Sequence, residues 1–451
     1  MGVVCPGFDT PARLGAKFRG LADARLLLFP PPNIAGQTPA QVTEHTQTLV
    51  DKLIGELTKP ITRGEPASIT SAKANPRDVA FRGNIDELNE FFHENRWTEG
   101  LPIVPPTIAA VEAMLRFTDR DPDDVVGVLR PGWCEATVWK IAVNGVMAGC
   151  RPEYLPILLA IIEAVAAPDA GIEGFNSTSG QIPLIVLNGP IIRELDFNHG
   201  QGMVRARRQA NMAVSRFLSL CLINIARLRL GETDMSVFDR NYIPVVAEAE
   251  DESPWEPLSV DLGFKPGSNV VTVQSAAMLG YSFESWGNVD NHLRIIAQQV
   301  ARDLGNSHYM VHPTLGPATT PAICISPEIA SILAKGGYSK QDVKQYLFDH
   351  ARVPAHQLEE FLQRLALLPT TRPEDSTLCE MVRLGRLPKA LGESEDPNRL
   401  VPVVRFPDEF MIVVTGLPTR NRTRILRQGG AHGVRSSKEI GLPANWRQLL
   451  K

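Results

Sequence analysis

The chain has 451 residues, of which 43% are hydrophobic and 21% are charged, a composition that can bury more than one ordinary core and excludes a disordered protein. Its formal net charge of -4, with lysines and arginines scattered along the chain, gives no basic field for a nucleic-acid backbone. No apolar run approaches the roughly 18 residues that a membrane-spanning helix needs. We therefore expect a cytoplasmic globular protein that binds neither nucleic acid nor membranes.

The first segment contains one predicted strand and one predicted helix. The strand is the short apolar run 24–29, and the helix spans 38–57, where Thr38 is a good N-cap ahead of Pro39. Residues 59–82 are rich in Pro, Ser and Thr and have no sustained periodicity, which indicates a linker. We therefore interpret residues 1–58 as the remnant of an α/β domain and residues 83–451 as a large α/β domain.

The large domain is predicted to alternate strands with helices. Helices are predicted over 84–95, 106–117, 134–150, 152–167, 209–228, 290–304, 327–336, 339–350 and 355–367. Strands are predicted over 125–129, 182–187, 243–249, 269–275, 322–325 and 410–415. This alternation predicts an α/β fold with mixed sheets and flanking helices.

The predicted helix over 134–150 has a polar stripe. Thr137, Lys140 and Asn144 recur at intervals of three and four residues and point toward Arg151. Glu135 is predicted in the first turn, where the helix dipole favours a carboxylate. A lysine beside an apolar wall can have its pKa lowered enough to act as a base or nucleophile. Glu135 and Lys140 are therefore candidates for proton transfer, and Asn144 and Arg151 for substrate binding; a solvated helix face is the structural alternative.

Cysteines stand at both ends of this predicted helix. Six cysteines are dispersed through the chain without a CxxC pair, which is typical of free thiols in a reducing compartment. Cys134 and Cys150 are predicted to be too far apart for a disulfide. Cys134 is predicted near the helix N-terminus, where a thiol pKa can be lowered. A buried cysteine is more often a small apolar residue, so both readings stay open.

Amides and arginines follow the predicted strand over 182–187. Asn188 and Asn211 can orient a polar ligand through hydrogen bonds, although such residues are also ordinary in turns. Arg205 is the first of a group, continued by Arg207 and Arg208, that can clamp a carboxylate or phosphate or simply favour solubility. The nearby GQGMVR does not fit a dinucleotide fingerprint, because the strand ends too early. The sequence identifies no cofactor.

Two further groups carry acids and histidines. His308 and His312 are four residues apart, which is the spacing of metal ligands on one helical face, but Pro313 indicates a helix end. Such a site would be complete only if His292, Glu248 and Glu250 lie close to the two histidines in the folded protein. The acidic run 248–252 is either a solvated loop or a set of general acids and bases. Trp255 follows this acidic run and can form one wall of a ligand pocket.

Four segments resemble the UGSC family, a group of mostly bacterial proteins named after a selenocysteine- or cysteine-containing motif in an N-terminal domain. The segments are TEGLPIVPPT, EATVWKIAVNGVMAGCRPEYLP, SPWEPL and YSKQDVKQYLFDHARVPA, and the likeness covers most of residues 80–415. The resemblance implies an N-terminal α/β domain followed by a larger domain. It also draws attention to the residues inside the second segment, namely Glu135, Lys140, Asn144, Cys150 and Arg151.

The chain departs from that family in its first part. It has neither a UGSC nor a CGSC motif, and residues 21–58 resemble only the last strand and helix of the first domain. The resemblance therefore implies that the redox thiol or selenol comes from a separate chain, is replaced by another residue such as Cys134, or is lost.

The sequence favours an enzyme of small-molecule metabolism that acts on a polar, anionic substrate. A lyase or hydrolase step fits better than hydride transfer, because no nucleotide-binding signature is present. The candidate catalytic residues are Glu135, Lys140 and Cys150, and the candidate substrate-binding residues are Asn144, Arg151, Asn188, Asn211 and Trp255. Two alternatives remain: a non-catalytic subunit completed by a partner chain or by a second copy of itself, and a metal-dependent hydrolase using His308 and His312.

Overall fold

The computed structural model describes residues 2–29, 38–60, 75, 77–171, 175, 177–178, 180–205, 208–237, 242–305, 320–364, 377–428 and 435–451. The helices are α1 (Asp9–Phe18), α2 (Pro39–Thr58), α3 (Ile85–Glu94), α4 (Ile108–Leu115), α5 (Val138–Met147), α6 (Leu155–Ala166), α7 (Ile191–Glu194), α8 (Gln209–Asn224), α9 (Leu258–Asp261), α10 (Val289–Leu304), α11 (Pro327–Lys335), α12 (Lys340–His350), α13 (Ala355–Arg364), α14 (Leu378–Arg383) and α15 (Trp446–Leu449). The strands are β1 (Gly2–Val4), β2 (Leu26–Leu28), β3 (Val125–Leu129), β4 (Cys134–Thr137), β5 (Ile182–Asn188), β6 (Val245–Ala247), β7 (Val270–Glu284), β8 (Ala322–Ile325), β9 (Arg352–Pro354), β10 (Leu400–Pro402), β11 (Met411–Val414), β12 (Arg422–Gln428) and β13 (Ser436–Glu439). The predicted α/β class with mixed sheets and flanking helices is confirmed.

The N-terminal segment is a small α/β layer. Strand β1 pairs in parallel with β2, and α1 connects them. Helix α2 begins where the sequence predicts, because the Thr38 hydroxyl accepts from the Gln41 backbone amide and the Gln41 side-chain oxygen accepts from the Thr38 backbone amide. The segment therefore holds two strands and two helices, where the sequence predicted one of each.

The central sheet has seven strands and curves until its two ends meet. Its order is β11-β8-β12-β7-β5-β6, and β13 pairs with β7 beside this path. Strands β5 and β6 are parallel, as are β8 and β11, whereas β7 and β12 run antiparallel to their neighbours. The Ala249 amide donates to the Val414 carbonyl at 2.8 Å, which links the segment after β6 to β11. We call this curved sheet the barrel.

Alternating side chains of the strands face the inside and the outside of the barrel, because successive residues of a strand point to opposite faces. On β5, Leu184 and Val186 belong to a cluster shared by β5, β6, β7, β8, β11 and β12, which is the barrel interior. Ile185 and Leu187 instead join an outer cluster with α4, α5, α6 and α8. A second outer cluster packs β8, β11 and β12 against α10 to α14.

The C-terminal turn returns to the first outer cluster. Helix α15 places Trp446 against Phe117 with ring centroids 6.0 Å apart, and both side chains are buried in that cluster. Strand β13 pairs with β7 immediately before this turn. The first outer cluster therefore combines residues from distant parts of the sequence.

The predicted helix over 134–150 is wrong at its beginning. Cys134–Thr137 form β4, which pairs antiparallel with β3, and α5 begins at Val138. The physical reason is that pairing with β3 satisfies the backbone of these residues, while the Thr137 hydroxyl caps the helix by accepting from the Lys140 amide. Glu135 and Cys134 therefore lie in a strand and not at a helix N-terminus. The predicted strand over 125–129 is confirmed.

Candidate functional site

The barrel opens into a cavity of about 800 Å³ at the carboxyl ends of the parallel strands β8 and β11. Ser326 follows β8 directly and lines the cavity, and Thr415 and Gly416 follow β11 and line it too. The loop 200–205 forms another wall. Ligands of α/β proteins commonly bind at the carboxyl ends of parallel strands, so this position favours a binding site.

The charge of this cavity has one sign. Its lining contains four arginines and, among the described residues, no aspartate or glutamate. The arginines are Arg205, Arg420, Arg422 and Arg424, and we call the cavity the arginine mouth. Converging guanidinium groups without a lining carboxylate create a positive potential that attracts anions and can bind carboxylate or phosphate through paired hydrogen bonds.

Two of these arginines are held by the barrel itself. Arg424 on β12 donates from Nε to the Gly280 carbonyl of β7 at 2.8 Å, which fixes the direction of its guanidinium group. Arg422 pairs with Glu284 at the opposite strand position. Arg205 and Arg424 make no ion pair with any other residue that the structure describes. Their charge is therefore available to a ligand.

Neutral polar groups complete the arginine mouth. Burial raises the pKa of the Cys324 thiol to about 12, with Arg424 acting in the opposite direction, so the thiol is protonated at neutral pH. The Ser326 hydroxyl accepts from the Arg422 amide at 3.2 Å. Hydroxyl and thiol groups here can orient an oxygen-rich ligand.

A second cavity, of about 470 Å³, lies at the carboxyl ends of the parallel strands β5 and β6. Asn188 ends β5, and its Nδ2 donates to Glu248 Oε2 at 2.6 Å and to Glu250 Oε1 at 3.0 Å. His199 lines this cavity, and its carbonyl accepts from the Gly416 amide at 2.8 Å. Because Gly416 lines the arginine mouth, the two cavities are neighbours.

Glu248 is buried, and its carboxylate accepts hydrogen bonds from three elements. It accepts from Asn188 on β5, from the Leu258 amide of α9 at 2.8 Å and from the Val414 amide of β11 at 3.3 Å. Burial raises the pKa of Glu248 above its ordinary value, while the Lys340 ammonium and these donors act to lower it. With 1% exposure, Glu248 is not part of a solvated loop, and its contacts make it a structural junction.

The candidate residues on β4 and α5 lie away from both cavities. Glu135 is exposed, and its carbonyl accepts from Lys140 Nζ at 2.8 Å. Asn144 is buried, donates to the Lys140 carbonyl at 2.9 Å and accepts from Asn224 at 2.8 Å. Cys150 is buried, and burial raises its thiol pKa well above the ordinary range, which disfavours a thiolate. The structure does not bring Glu135, Lys140 and Cys150 together around a cavity.

The remaining predicted substrate-binding residues are also separated from one another. Arg151 is exposed and pairs with Glu153 at 2.5 Å. Asn211 is buried, and its amide makes three hydrogen bonds, to Asn198 and to the Val245 carbonyl. Trp255 donates from Nε1 to the Tyr338 carbonyl at 3.0 Å. Among the predicted groups, Arg205 alone lines the arginine mouth.

Three arginines, two on β12 and one just before it, are the functional candidates that sequence reasoning missed. Arg420, Arg422 and Arg424 alternate with other residues in RNRTR, a period of two that is typical of side chains on one face of a strand. The sequence predicts no strand there, because the run is too polar for a buried strand.

The described residues give little support to the hypothesis of a metal site. His308 and His312 lie outside them. Where side chains are described, no group of three or more histidine, cysteine, aspartate or glutamate residues is arranged to hold a metal ion. His292 is fully buried, with Nδ1 2.7 Å from the Ser285 hydroxyl.

Over the described parts of the chain, no helix combines the length and apolarity needed to cross a bilayer. Comparisons of the chain with models of protein families, with curated proteins and with solved structures find no significant match.

Proposed function

We propose that this chain is an enzyme of small-molecule metabolism that binds a polar, anionic substrate in the arginine mouth. The observation that supports the proposal is the charge of this cavity: four arginines line it and no described carboxylate does. A volume of about 800 Å³ is in the range of small-molecule sites.

Arg424 is the proposed anchor for the substrate. Its Nε bond to the Gly280 carbonyl holds the guanidinium group in place before a ligand arrives, so little side-chain entropy is lost on binding. Arg205 approaches from the loop 200–205 on another wall. Two arginines on separate elements can grip two oxygens of a carboxylate or phosphate.

The proposed reaction is of the lyase or hydrolase type. Hydrolysis at a carbonyl group and elimination beside a carboxylate both develop negative charge on oxygen, and fixed cationic groups stabilise such charge without reorganisation. Cys324 and Ser326, at the end of β8, are the neutral proton-bearing groups beside the arginines. The loop containing GQGMVR forms one wall of this cavity.

Binding of simple anions tests the proposal. Isothermal titration calorimetry at low ionic strength would compare phosphate, malonate and succinate on the wild type and on Arg424→Gln. We expect the variant to bind the preferred anion about tenfold more weakly, which corresponds to about 1.4 kcal/mol. The control is Arg447→Gln, an exposed arginine on α15. Equal binding by both variants, or no saturable binding of any anion, would contradict the proposal.

Turnover requires a separate measurement. Incubation of the purified chain with a cell metabolite extract, followed by mass spectrometry, would detect an anionic compound that is consumed by the wild type and not by Arg424→Gln. Consumption that is equal in both would place the activity elsewhere.

A second candidate function is that of a subunit completed by another chain. The supporting observation is the small N-terminal layer: Val3 and Leu28 are exposed on its strands, and Val50, Ile54 and Leu57 form an exposed stripe along α2. Such a layer is too small to bury its apolar surface within the described residues. Native mass spectrometry of the protein from its own cells tests this candidate. A stoichiometric second protein would support it, and a bound small molecule without a partner would favour the enzyme.

A further inference from the structure

A separate cavity of about 570 Å³ lies outside the barrel, between α3, α4, α5 and α8. Its apolar walls include Phe81, Phe92, Trp97, Ile108 and Trp139. It shares no lining residue with the arginine mouth. Aromatic walls on several sides favour a flat, apolar ligand, because aromatic rings pack against one another in stacked or edge-to-face arrangements. We call this cavity the aromatic pocket.

Two asparagines stand in this apolar setting, and their orientation is fixed. Asn144 Nδ2 donates to the Lys140 carbonyl, which leaves its Oδ1 to accept from Asn224 Nδ2 at 2.8 Å. Asn224 Nδ2 also donates to the Trp97 carbonyl at 3.1 Å. Because a carbonyl can only accept, neither amide can be turned around without losing a bond.

These hydrogen bonds leave one acceptor, Asn224 Oδ1, without a donor among the described residues. Asn224 Oδ1 is buried and has no hydrogen-bond partner within the described part of the chain, and Asn224 lines the aromatic pocket. A buried amide oxygen without a donor is unfavourable, so a ligand that brings an O–H or N–H group gains a hydrogen bond there.

The charged lining of the aromatic pocket is mostly positive. It contains Arg77, Arg82, Arg227 and Arg229 but a single acid, Asp78. Arg77 pairs with Asp123 outside the pocket and lies over the Trp139 ring at 5.2 Å. The other three arginines make no ion pair with another described residue. The Nε of Arg229 is buried without a partner in the described structure.

We propose that the aromatic pocket binds an aromatic carboxylic acid that also carries a hydroxyl or N–H group. The ring contacts the aromatic walls, the hydroxyl or N–H group donates to Asn224 Oδ1, and the carboxylate pairs with Arg229. This site is independent of the proposed substrate site, and its test uses different residues.

Three probes separate the parts of this ligand. 4-Hydroxybenzoate has the ring, the donor and the acid; 4-methoxybenzoate lacks the donor; 4-hydroxybenzyl alcohol lacks the acid. Binding is followed by quenching of tryptophan fluorescence, since Trp97 and Trp139 line the pocket, and by calorimetry. We expect 4-hydroxybenzoate to bind about tenfold more tightly than either of the other two.

Two variants locate the site. Arg229→Gln removes the partner of the acid and should weaken 4-hydroxybenzoate about tenfold, and Val143→Phe fills the pocket and should weaken all three probes by at least that factor. The matched controls are Arg116→Gln and Val128→Phe, which change exposed residues that do not line the pocket. Both should bind as the wild type does.

The outcomes separate this site from the arginine mouth. Loss of 4-hydroxybenzoate binding in Val143→Phe with unchanged binding in Arg424→Gln supports the aromatic pocket. Unchanged binding in Val143→Phe, equal affinity for 4-methoxybenzoate, or no saturable binding at all overturns it. A melting temperature close to that of the wild type shows that Val143→Phe is folded.

Discussion

Asn188 Nδ2 lies 2.6 Å from Glu248 Oε2, and this hydrogen bond joins the carboxyl ends of two parallel strands inside the barrel. The same carboxylate accepts from the Val414 amide of β11, the strand at the other end of the sheet. Glu248 therefore fastens the two ends of the curved sheet to each other.

Glu248→Gln should lower the free energy of unfolding by about 2–3 kcal/mol. A carboxylate accepts at both oxygens, whereas a glutamine presents an NH₂ group to at least one of the donors Asn188, Leu258 and Val414. Urea denaturation measures the change. Glu112→Gln, on an exposed face of α4, is the control and should stay within about 0.5 kcal/mol of the wild type. A similar small change in Glu248→Gln would show that the junction contributes little.

Gly189→Ala should destabilise the protein by about 2–4 kcal/mol, because of both strain and collision. Gly189 has φ of +99°, and a Cβ there would lie 2.5 Å from the Ser268 carbonyl oxygen, which belongs to the backbone. Gly15→Ala is the control: it lies within α1 with open space around it, so alanine should stabilise by about 0.5–1 kcal/mol. Thermal unfolding of both variants tests the contrast, and an unchanged melting temperature for Gly189→Ala would contradict it.

Stability should fall as the pH drops through 6.5, and His292 should account for part of the fall. Burial lowers the pKa of His292 below its ordinary value of 6.5, with Glu328 opposing the shift. Below that value the unfolded chain therefore binds a proton that the folded chain does not, and the folded state loses up to about 1.4 kcal/mol per pH unit.

The variant His292→Asn should flatten this dependence just below pH 6.5, because asparagine does not titrate. His350→Asn changes an exposed histidine and is the control. Denaturant unfolding at several pH values gives the slope of the free energy of unfolding against pH for the wild type and for each variant. If His292→Asn keeps the slope of the wild type, other groups determine the acid sensitivity.

Lys140→Ala should change the free energy of unfolding by at most about 1 kcal/mol. Lys140 is half-buried, and its Nζ donates to the Glu135 carbonyl. The sequence-based hypothesis adds that this variant loses turnover while keeping its melting temperature. Once a turnover assay exists, normal activity of Lys140→Ala would remove Lys140 from the catalytic candidates, and a large loss of stability would assign it a structural role.

Much of the secondary structure follows from local signals in the sequence. Helix α2 begins behind Thr38, and β5 coincides with the predicted apolar run, because caps and buried runs act over a few residues. Strand β7 continues nine residues beyond its predicted end at 275, through alanines and glycine, because pairing with β12 keeps it extended. Such pairing depends on residues more than a hundred positions away, which the local pattern does not reveal.

The candidate site was harder to predict than the fold. The sequence identifies Arg205 as a potential clamp, but Arg422 and Arg424 belong to β12, a polar strand whose extended form depends on pairing with β7 and β8. Conversely, Asn211 and Trp255 have the polar groups expected of ligand-binding residues, and their hydrogen bonds go to the protein backbone. A sequence shows which groups can bond, while the partners are chosen by the tertiary structure.

The contact between Phe117 and Trp446 also bears on how the chain is made. During synthesis the helices around Phe117 emerge more than three hundred residues before Trp446, yet the cluster that contains both is complete only with α15 in place. At roughly 5–20 residues per second, this cluster stays open for tens of seconds on the ribosome. A nascent chain halted before Trp446 should therefore expose apolar surface and be a substrate for chaperones.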